Sequence, residues 1–496
     1  MRSQSYFRQV PSNKIEAQKL THLTSQQRME LLSVLDEFPD VFSDTPGLCT
    51  AVEHEIPLID GFKPRVMRAY KVPENYRAEV DRQISELLRL KFIEPSTSPQ
   101  VSPLVCVLKP PDSEGKRAVR IYVDYRYVNF YTRSSASVLE DITDIIQHVG
   151  NSKFITKFDA NSGYHQCPVK KEDRWLTAFV HGTSVYQFTR CPFGMKSSGD
   201  TFVRSLRRVL TPVSRFTKAF VDDCAVHSSS WHDHLAEIRL FLQAIQKSGF
   251  TLGLRKCDFG KGSIRFVGHI IGSGKRGIDS EKVYDAMLKL KEPETKNQLR
   301  RIIGFFSFWR DYSPSFSSSA KPLTDLTTKR VPERIPFRDR ERAALNELKR
   351  LLCEAVNKPL NIIDMSKPFA IYVDASDYAV GACMTQPSGE GERPVAFASC
   401  KFNKTQERWA TIHKEAYAAL WALQKFKHWI FGKNVILYSD HNPITFLTET
   451  APKSAKLMRW ALAIQEFDVT FRYRKGSFNV VADCLSRDVY TRDDGV

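Results

Sequence analysis

The chain has 496 residues, 42% apolar and 26% charged, with 73 Lys and Arg against 56 Asp and Glu for a formal net charge of +17. That length exceeds one ordinary core, and the composition excludes a disordered, collagen-like or disulfide-dense chain. The basic balance points to a polyanionic partner, because a cationic surface neutralises phosphates and releases their counterions.

From the N-terminus, Thr24 and Gln27 form a capping-box pattern ahead of an apolar stripe, Leu31, Leu32, Leu35 and Phe38, which Pro39 stops. A second helix, Glu74 to Leu90, places Tyr76, Val80, Ile84, Leu87 and Leu88 on one face. After the Pro and Ser rich stretch Pro95 to Pro103, Val119, Ile121 and Val123 alternate with Arg120, Tyr122 and Asp124, the signature of a half-buried strand exposing Arg120. Lys153 to Asp159 is a further strand, and Thr217 to Ser228 reads as strand, two-residue Asp-Asp turn, strand. Helices from Ser280 to Leu290 and Thr295 to Trp309 suggest a small helical lobe, followed by a charged linker with Pro332 and Pro336 over Thr327 to Arg342.

Beyond the linker the pattern is three strands (Phe369 to Asp374, Ala379 to Thr385, Val395 to Ser399), a Gly-rich turn at Pro387 to Gly391, and a long helix from Arg408 to Phe431. Gly432 stops that helix. A strand Val435 to Ser439, a helix near Pro452 to Phe467, a strand Val469 to Tyr473 and a last helix from Asn479 complete the order. Ten cysteines stand singly from Cys49 to Cys484, the usage of reduced, mostly buried thiols. No run of some eighteen apolar residues and no secretory leader pattern occurs, so an intracellular protein with no membrane partner is expected.

Two carboxylate sets carry chemistry. Asp159 at a strand end and Asp222 with Asp223 at a hairpin tip form a set of the kind that holds two magnesium ions about 4 Å apart for phosphoryl transfer. An Asp-Asp turn alone is more often a solvated turn; its neighbours decide. Past the linker, Asp374 and Asp440 end strands, Glu415 lies inside the long helix and Asp483 lies in the last helix, a ribonuclease H pattern suited to a second pair of ions.

The stretches Lys157-Phe-Asp-Ala-Asn-Ser-Gly-Tyr-His-Gln166, Cys191-Pro-Phe-Gly-Met195 and Phe220-Val-Asp-Asp223 resemble, in this order, the motifs of gypsy-type LTR-retrotransposon reverse transcriptases. The resemblance extends through Phe38-Pro-Asp-Val-Phe-Ser-Asp44, His54-Glu-Ile56, Pro95-Ser-Thr-Ser-Pro99, Val123-Asp-Tyr-Arg126 and Phe266-Val-Gly-His-Ile270. Tyr372-Val-Asp-Ala-Ser376, His413-Lys-Glu-Ala416, Tyr438-Ser-Asp-His441 and Asn479-Val-Val-Ala-Asp-Cys-Leu-Ser-Arg487 resemble the ribonuclease H domain of the same elements.

The resemblance implies an α+β multidomain protein: a right-hand polymerase of fingers, palm and thumb, then a connection and an α/β ribonuclease H-like domain. The segments expected are a leader 1–60, fingers and palm 61–255, primer grip and thumb 256–326, connection 327–366, ribonuclease H domain 367–488 and a tail 489–496. Asp159, Asp222, Asp223, Asp374, Glu415, Asp440 and Asp483 become the catalytic, metal-binding residues, with two Mg2+ per site and Mn2+ as a substitute. By the same comparison Lys109 and Arg120 hold the incoming triphosphate, Tyr164 excludes a 2′-hydroxyl, Phe193 lines the nucleotide pocket and Lys256 protonates pyrophosphate. Phe266, Val267, Gly268 and His269 grip the primer terminus, although an apolar strand in the core predicts the same pattern.

The implied activity is RNA- and DNA-directed DNA synthesis with degradation of the RNA strand of the hybrid. Its partners are an RNA template, a DNA primer, RNA–DNA hybrid and deoxynucleoside triphosphates, in a cytoplasmic particle, with monomer or dimer left open. The alternative is a domesticated or decayed element product that binds nucleic acid without catalysis; survival of all seven carboxylates opposes it. Asp44-Thr-Pro-Gly47 reads as a turn, not a protease signature, so the expectation is the reverse transcriptase and ribonuclease H portion of a polyprotein, or an open reading frame trimmed to that portion. Three departures from the pattern stand out: Phe220 where tyrosine is usual, Gly199-Asp200 where Pro-Ala is common, and Arg474 where cellular and retroviral relatives carry histidine. Asp200 is expected to weaken template or nucleotide binding by like-charge repulsion.

Overall fold

The computed structural model describes residues 20–108, 117–134, 138–160, 163–389, 391–440 and 454–474. Lys109, Asp483, the Asn479 helix and the tail lie outside the described residues. The chain divides into two compact units, Met1–Val267 and Gly268–Val496, a coarser partition than the six expected segments.

In the first unit, helix α1 (Ser25–Asp36) starts on the expected capping box, with Thr24 and Gln27 each satisfying the other's backbone N–H. Leu31, Val34, Leu35 and Phe38 bury in one core with Phe158 and with Ile238, Phe241 and Leu242 of a later helix. Leu20 to Cys49 thus contribute to this core, while Ile56 packs with Val80 and Ile84 in a second one. The α2 helix (Arg77–Arg89) buries Val80 and Ile84, after a single 3-10 turn at Glu74–Tyr76 where the sequence suggested continuous helix.

The finger strands are β1 (Ile93–Pro95), β2 (Ser102–Leu108) and β3 (Val119–Val123), followed by helices α3 (Arg126–Tyr131) and α4 (Ile142–Gly150). Then come β4 (Phe154–Asp159), β5 (Phe179–His181), β6 (Ser184–Phe188), α5 (Ser198–Leu210), β7 (Thr217–Phe220), β8 (Asp223–Ser228) and α6 (Trp231–Ser248). Strands β9 (Asp258–Lys261) and β10 (Ser263–Phe266) end the unit. One sheet runs β1-β6-β5-β2-β3 and the other β7-β8-β4-β9. Phe158 of β4 stacks on Phe241 of α6 at 4.5 Å between ring centroids, fixing the helix under the second sheet.

The second unit opens with β11 (His269–Gly272) and β12 (Lys275–Ile278), then helices α7 (Ser280–Leu288), α8 (Lys296–Ser307), α9 (Phe316–Asp325) and α10 (Asp339–Asn357). Past Pro336 the charged stretch becomes the 19-residue helix α10, whose Ala344, Leu345, Leu348, Leu352 and Ala355 share a core with Leu299, Ile302 and Phe306 of α8. Burial at i, i+4 spacing outweighs the surrounding charge.

Strand β13 (Leu360–Asn361) pairs with β12, and the last sheet contains β14 (Phe369–Ala375), β15 (Ala379–Ser388), β16 (Gly391–Lys401), β17 (Val435–Ser439) and β18 (Val469–Tyr473). Its order is β16-β15-β14-β17-β18, antiparallel over the first three strands and parallel over the last three. The turn expected over Pro387 to Gly391 is shorter, because pairing continues to Ser388↔Gly391. The expected long helix is α12 (Thr411–Ile430), starting three residues later than read; the short α11 (Lys404–Glu407), capped by Asn403, precedes it, and α13 (Ala455–Ile464) follows β17. Ala416, Ala419 and Ala422 let α12 lie close over Ile371 and Val373 of the central strand. No described helix is long and apolar enough to cross a membrane.

Candidate active sites

In the first unit the antiparallel register sets Asp159 opposite Asp223, and Phe220 pairs with Asp223 across the hairpin. The two turn residues are therefore Val221 and Asp222, not the two aspartates as read from the sequence. Val221 has φ +55°, a left-handed conformation that a β-branched residue adopts only under strain. It places Asp222 at the exposed tip, while Asp159 and Asp223 are partly buried on adjacent strands.

Two lysines neutralise this set. Lys256 Nζ lies 3.0 Å from Asp159 Oδ1, and Lys157 Nζ lies 2.9 Å from Asp223 Oδ1. Burial raises the pKa of Asp223, Lys157 opposes that rise, and the charges of Asp222 and Asp159 add to it. Lys256 thus stands as an ion-pair partner of Asp159. Lys157 is missed by sequence reasoning, although its position two residues before Asp159 in a strand puts it on the same face.

The expected nucleotide residues converge in part. A cavity of about 290 Å³ is lined by Arg82, Arg120, Tyr122, His165, Phe188 and Phe193. Phe193 meets the rings of His165 at 4.8 Å, Tyr164 at 5.3 Å and Tyr122 at 6.4 Å. Burial, and then the charge of Asp222, raises the pKa of Tyr164, which ties that ring to the hairpin tip. Arg120 is exposed, its guanidinium donating to the Tyr122 hydroxyl at 3.3 Å. Tyr122 and His165 join the pocket without having been singled out; both flank residues that were.

Gly163 explains part of the motif after Asp159. A Cβ there would sit 2.6 Å from the fully buried Phe202 ring, so no other residue fits without moving a core aromatic. Gly163→Ala is expected to cost about 1–3 kcal/mol by overpacking. A lowered urea midpoint with unchanged m-value is the measurement, and an unshifted midpoint would refute the packing argument.

The Phe266 and His269 side chains are buried, and His269 Nδ1 hydrogen-bonds the Tyr312 hydroxyl at 2.9 Å. Between them Val267 (φ +48°) and Gly268 (φ +82°) are partly exposed and take left-handed backbone conformations. Asp200 lies in the first turn of α5, where the helix dipole favours a carboxylate. The upstream motif at Val123 is structural, since Asp124 accepts a bidentate pair from Arg126 at 2.8 and 2.6 Å plus the Tyr70 hydroxyl at 3.2 Å, holding its pKa down at about 2.

The second unit holds a tighter set. Asp374 near the end of β14, Glu415 of α12 and Asp440 after β17 each bring a carboxylate oxygen within 4.8 Å of the others, the one such cluster among the described residues. Asp374 and Glu415 are buried, at 6% and 4% exposure. Burial first, then the charges of Asp374 and Asp440, push the Glu415 carboxyl up to about 9, against a lowering by the backbone N–H of Ala375. Glu415 Oε2 is buried and lacks a hydrogen-bond partner. An orphaned acidic oxygen facing two more carboxylates fits a divalent cation, whose charge would offset the repulsion.

Arg474, at the position of the missing histidine, is engaged elsewhere. Its guanidinium lies over Tyr372 and Tyr438, which stack at 4.8 Å, and donates to the Tyr372 hydroxyl at 2.9 Å. Tyr372 donates in turn to Glu392 at 2.7 Å. Among the described cysteines all are free and six of nine are buried, matching the expected reduced thiols.

A strand pair with three aspartates, and a mixed five-stranded sheet with three converging acids under a helix, define a polymerase domain and a ribonuclease H-like domain. Residues 108–271 match the family described as reverse transcriptase (RNA-dependent DNA polymerase), and 364–467 match the RNase H-like domain found in reverse transcriptase. The chain carries both domains and is homologous to retrotransposon Pol polyproteins. The Drosophila melanogaster Pol polyprotein from transposon opus is 34% identical over 473 residues, covering 92% of this chain and 47% of the relative. That from transposon gypsy is 31% identical over 450 residues, covering 88% and 43%. The chain thus spans about half the length of these relatives.

Among solved structures, the foamy viral protease-reverse transcriptase dRH in complex with double-stranded DNA matches with a TM-score of 0.80 at 22% identity, over 96% of this chain and 84% of that one. The same viral protein in complex with RNA/DNA hybrid gives 0.72 at 22% identity, over 96% and 64%. These establish the fold.

Proposed function

We propose that the chain is an RNA- and DNA-directed DNA polymerase with ribonuclease H activity, acting on RNA template, DNA primer, deoxynucleoside triphosphates and RNA–DNA hybrid with Mg2+ as its ion. The observation that carries the reading is Glu415: an acid 4% exposed, with an orphan oxygen, beside two further acids. Such an arrangement is costly without a cation. A non-catalytic binding protein gains nothing from keeping it.

Asp374, Glu415 and Asp440 would hold ions in the ribonuclease H-like domain, and Asp159, Asp222 and Asp223 in the polymerase domain. Bound divalent ions supply positive charge to the attacking and leaving oxygens of a phosphodiester. The chain's own part is positional. Strand β14 and helix α12 fix two acids in a closely packed core, and the β4–β8 ladder fixes Asp159 against Asp223. Tyr164 and Phe193 form the aromatic wall under a nucleotide sugar and base, and Arg120 offers a guanidinium to phosphate. The +17 charge serves the polyanionic duplex. Foamy viral neighbours captured with duplex DNA and with hybrid support these partners.

The test is a pair of assays on the full chain, with Mg2+ and with chelator: primer extension on RNA, and cleavage of hybrid labelled in its RNA. Asp374→Asn is expected to abolish cleavage and spare extension. Loss of both activities in that variant would show that the two centres are not separate, and absence of both in the parent would support the decayed-element alternative.

A further inference from the structure

Lys157 is an unusual residue for the middle of a palm strand. Lysine is depleted in strands, and here its side chain is only 17% exposed. It lies on β4 two residues before Asp159 and reaches diagonally to Asp223 Oδ1 at 2.9 Å. The same ammonium donates to the backbone carbonyl of Arg265 at 3.1 Å, on β10 immediately before Phe266. One cation therefore joins a metal-binding carboxylate to the strand leading into the expected primer contact. Lys256 is different: it is 63% exposed, and its ammonium pairs with Asp159 alone among the described side chains.

We propose that Lys157 is a positioning residue of the polymerase centre, holding Asp223 by one oxygen and β10 by the Arg265 carbonyl while leaving the other Asp223 oxygen to a divalent ion. The proposal rests on the polymerase reading above. Lys256, with one exposed contact, yields Asp159 to an arriving ion; Lys157, enclosed and doubly bonded, stays. Its charge weakens cation binding at Asp223, and its geometry raises the rate of the chemical step by keeping the carboxylate in register with the primer-side strand.

The test compares the full chain with Lys157→Met and Lys157→Arg, all in an Asp374→Asn background that removes the second centre. Two readouts are used: binding of Mn2+ to the metal-free protein, followed by electron paramagnetic resonance, and steady-state incorporation on a primed RNA template. Lys157→Met is expected to bind Mn2+ at least about threefold tighter, because a positive charge beside a ligand is removed. Its kcat is expected to fall about tenfold with the nucleotide KM unchanged, and Lys157→Arg to recover most of that rate. A merely structural lysine would instead leave Mn2+ affinity unchanged. Parental kcat in Lys157→Met, unchanged Mn2+ affinity, or no recovery in Lys157→Arg would each overturn the role. An inactive parent overturns the polymerase reading and this role with it, whereas an active parent with an indifferent Lys157→Met overturns the role alone.

Discussion

Primer extension on an RNA template is expected to fall on the order of 10³-fold or more in Asp222→Asn, equivalent to about 4 kcal/mol of transition-state stabilisation. The chain's stability is expected to change by no more than about 0.5 kcal/mol, since Asp222 is exposed at a hairpin tip and substitutions at such sites seldom matter to folding. That separation is informative. A large loss of activity without a loss of melting temperature assigns Asp222 to the chemistry, and hybrid cleavage, which belongs to the other unit, is expected to persist at the parental rate. Parental extension by Asp222→Asn would remove the proposed centre altogether.

Glu415→Gln is expected to abolish hybrid cleavage and at the same time to stabilise the metal-free protein. The sign follows from the direction of the shift. The Glu415 pKa is raised in the folded state, to about 9, above its ordinary value of 4.5. The folded state therefore holds a proton that the unfolded chain releases, so this contribution to stability is complete below about pH 4.5 and is lost as pH rises towards 9. In chelator the parent should melt progressively lower across that interval, while Glu415→Gln, which cannot ionise, should show a flatter profile and a higher melting temperature at pH 8. Each kcal/mol recovered is worth roughly 2–4 °C in a unit of this size. Adding Mg2+ should raise the parent's melting temperature more at pH 8 than at pH 5. Thermal melts over this series check the claim; identical pH profiles for parent and variant would mean that Glu415 is not the strained group.

The acids themselves were legible in the sequence because metal chemistry restricts residue type as well as order, and strand ends announce themselves by alternation. Asp374, Glu415 and Asp440 converge as expected for that reason. Other features were hidden by physics that one-dimensional patterns do not carry. The hairpin turn was misplaced by one residue because valine is a poor candidate for positive φ, yet tertiary packing holds Val221 there. Helix α10 was masked by Pro332, Pro336 and the charged run before it, although its apolar i, i+4 repeat begins at Ala344. For Phe266 to His269 the sequence left a primer contact and an apolar core strand indistinguishable, and the fold shows the Phe266 and His269 side chains buried, His269 beside Trp309 and Tyr312. The pairings of Lys157 with Asp223 and Lys256 with Asp159 join residues up to 97 positions apart, and only the folded ladder brings them together.

That ladder also sets which kinds of inherited change the polymerase centre can absorb. Asp159 and Asp223 are register partners, and side chains along a strand alternate faces. A swap of residue type at most positions of β4 or β8 alters one contact and leaves the register standing. Losing or gaining a single codon within either strand turns the following side chains to the opposite face and parts the two acids. Drift in such a lineage is therefore freer in spelling than in length, and a frame-preserving deletion within Phe154–Asp159 or Asp223–Ser228 marks a dead copy more reliably than many substitutions do.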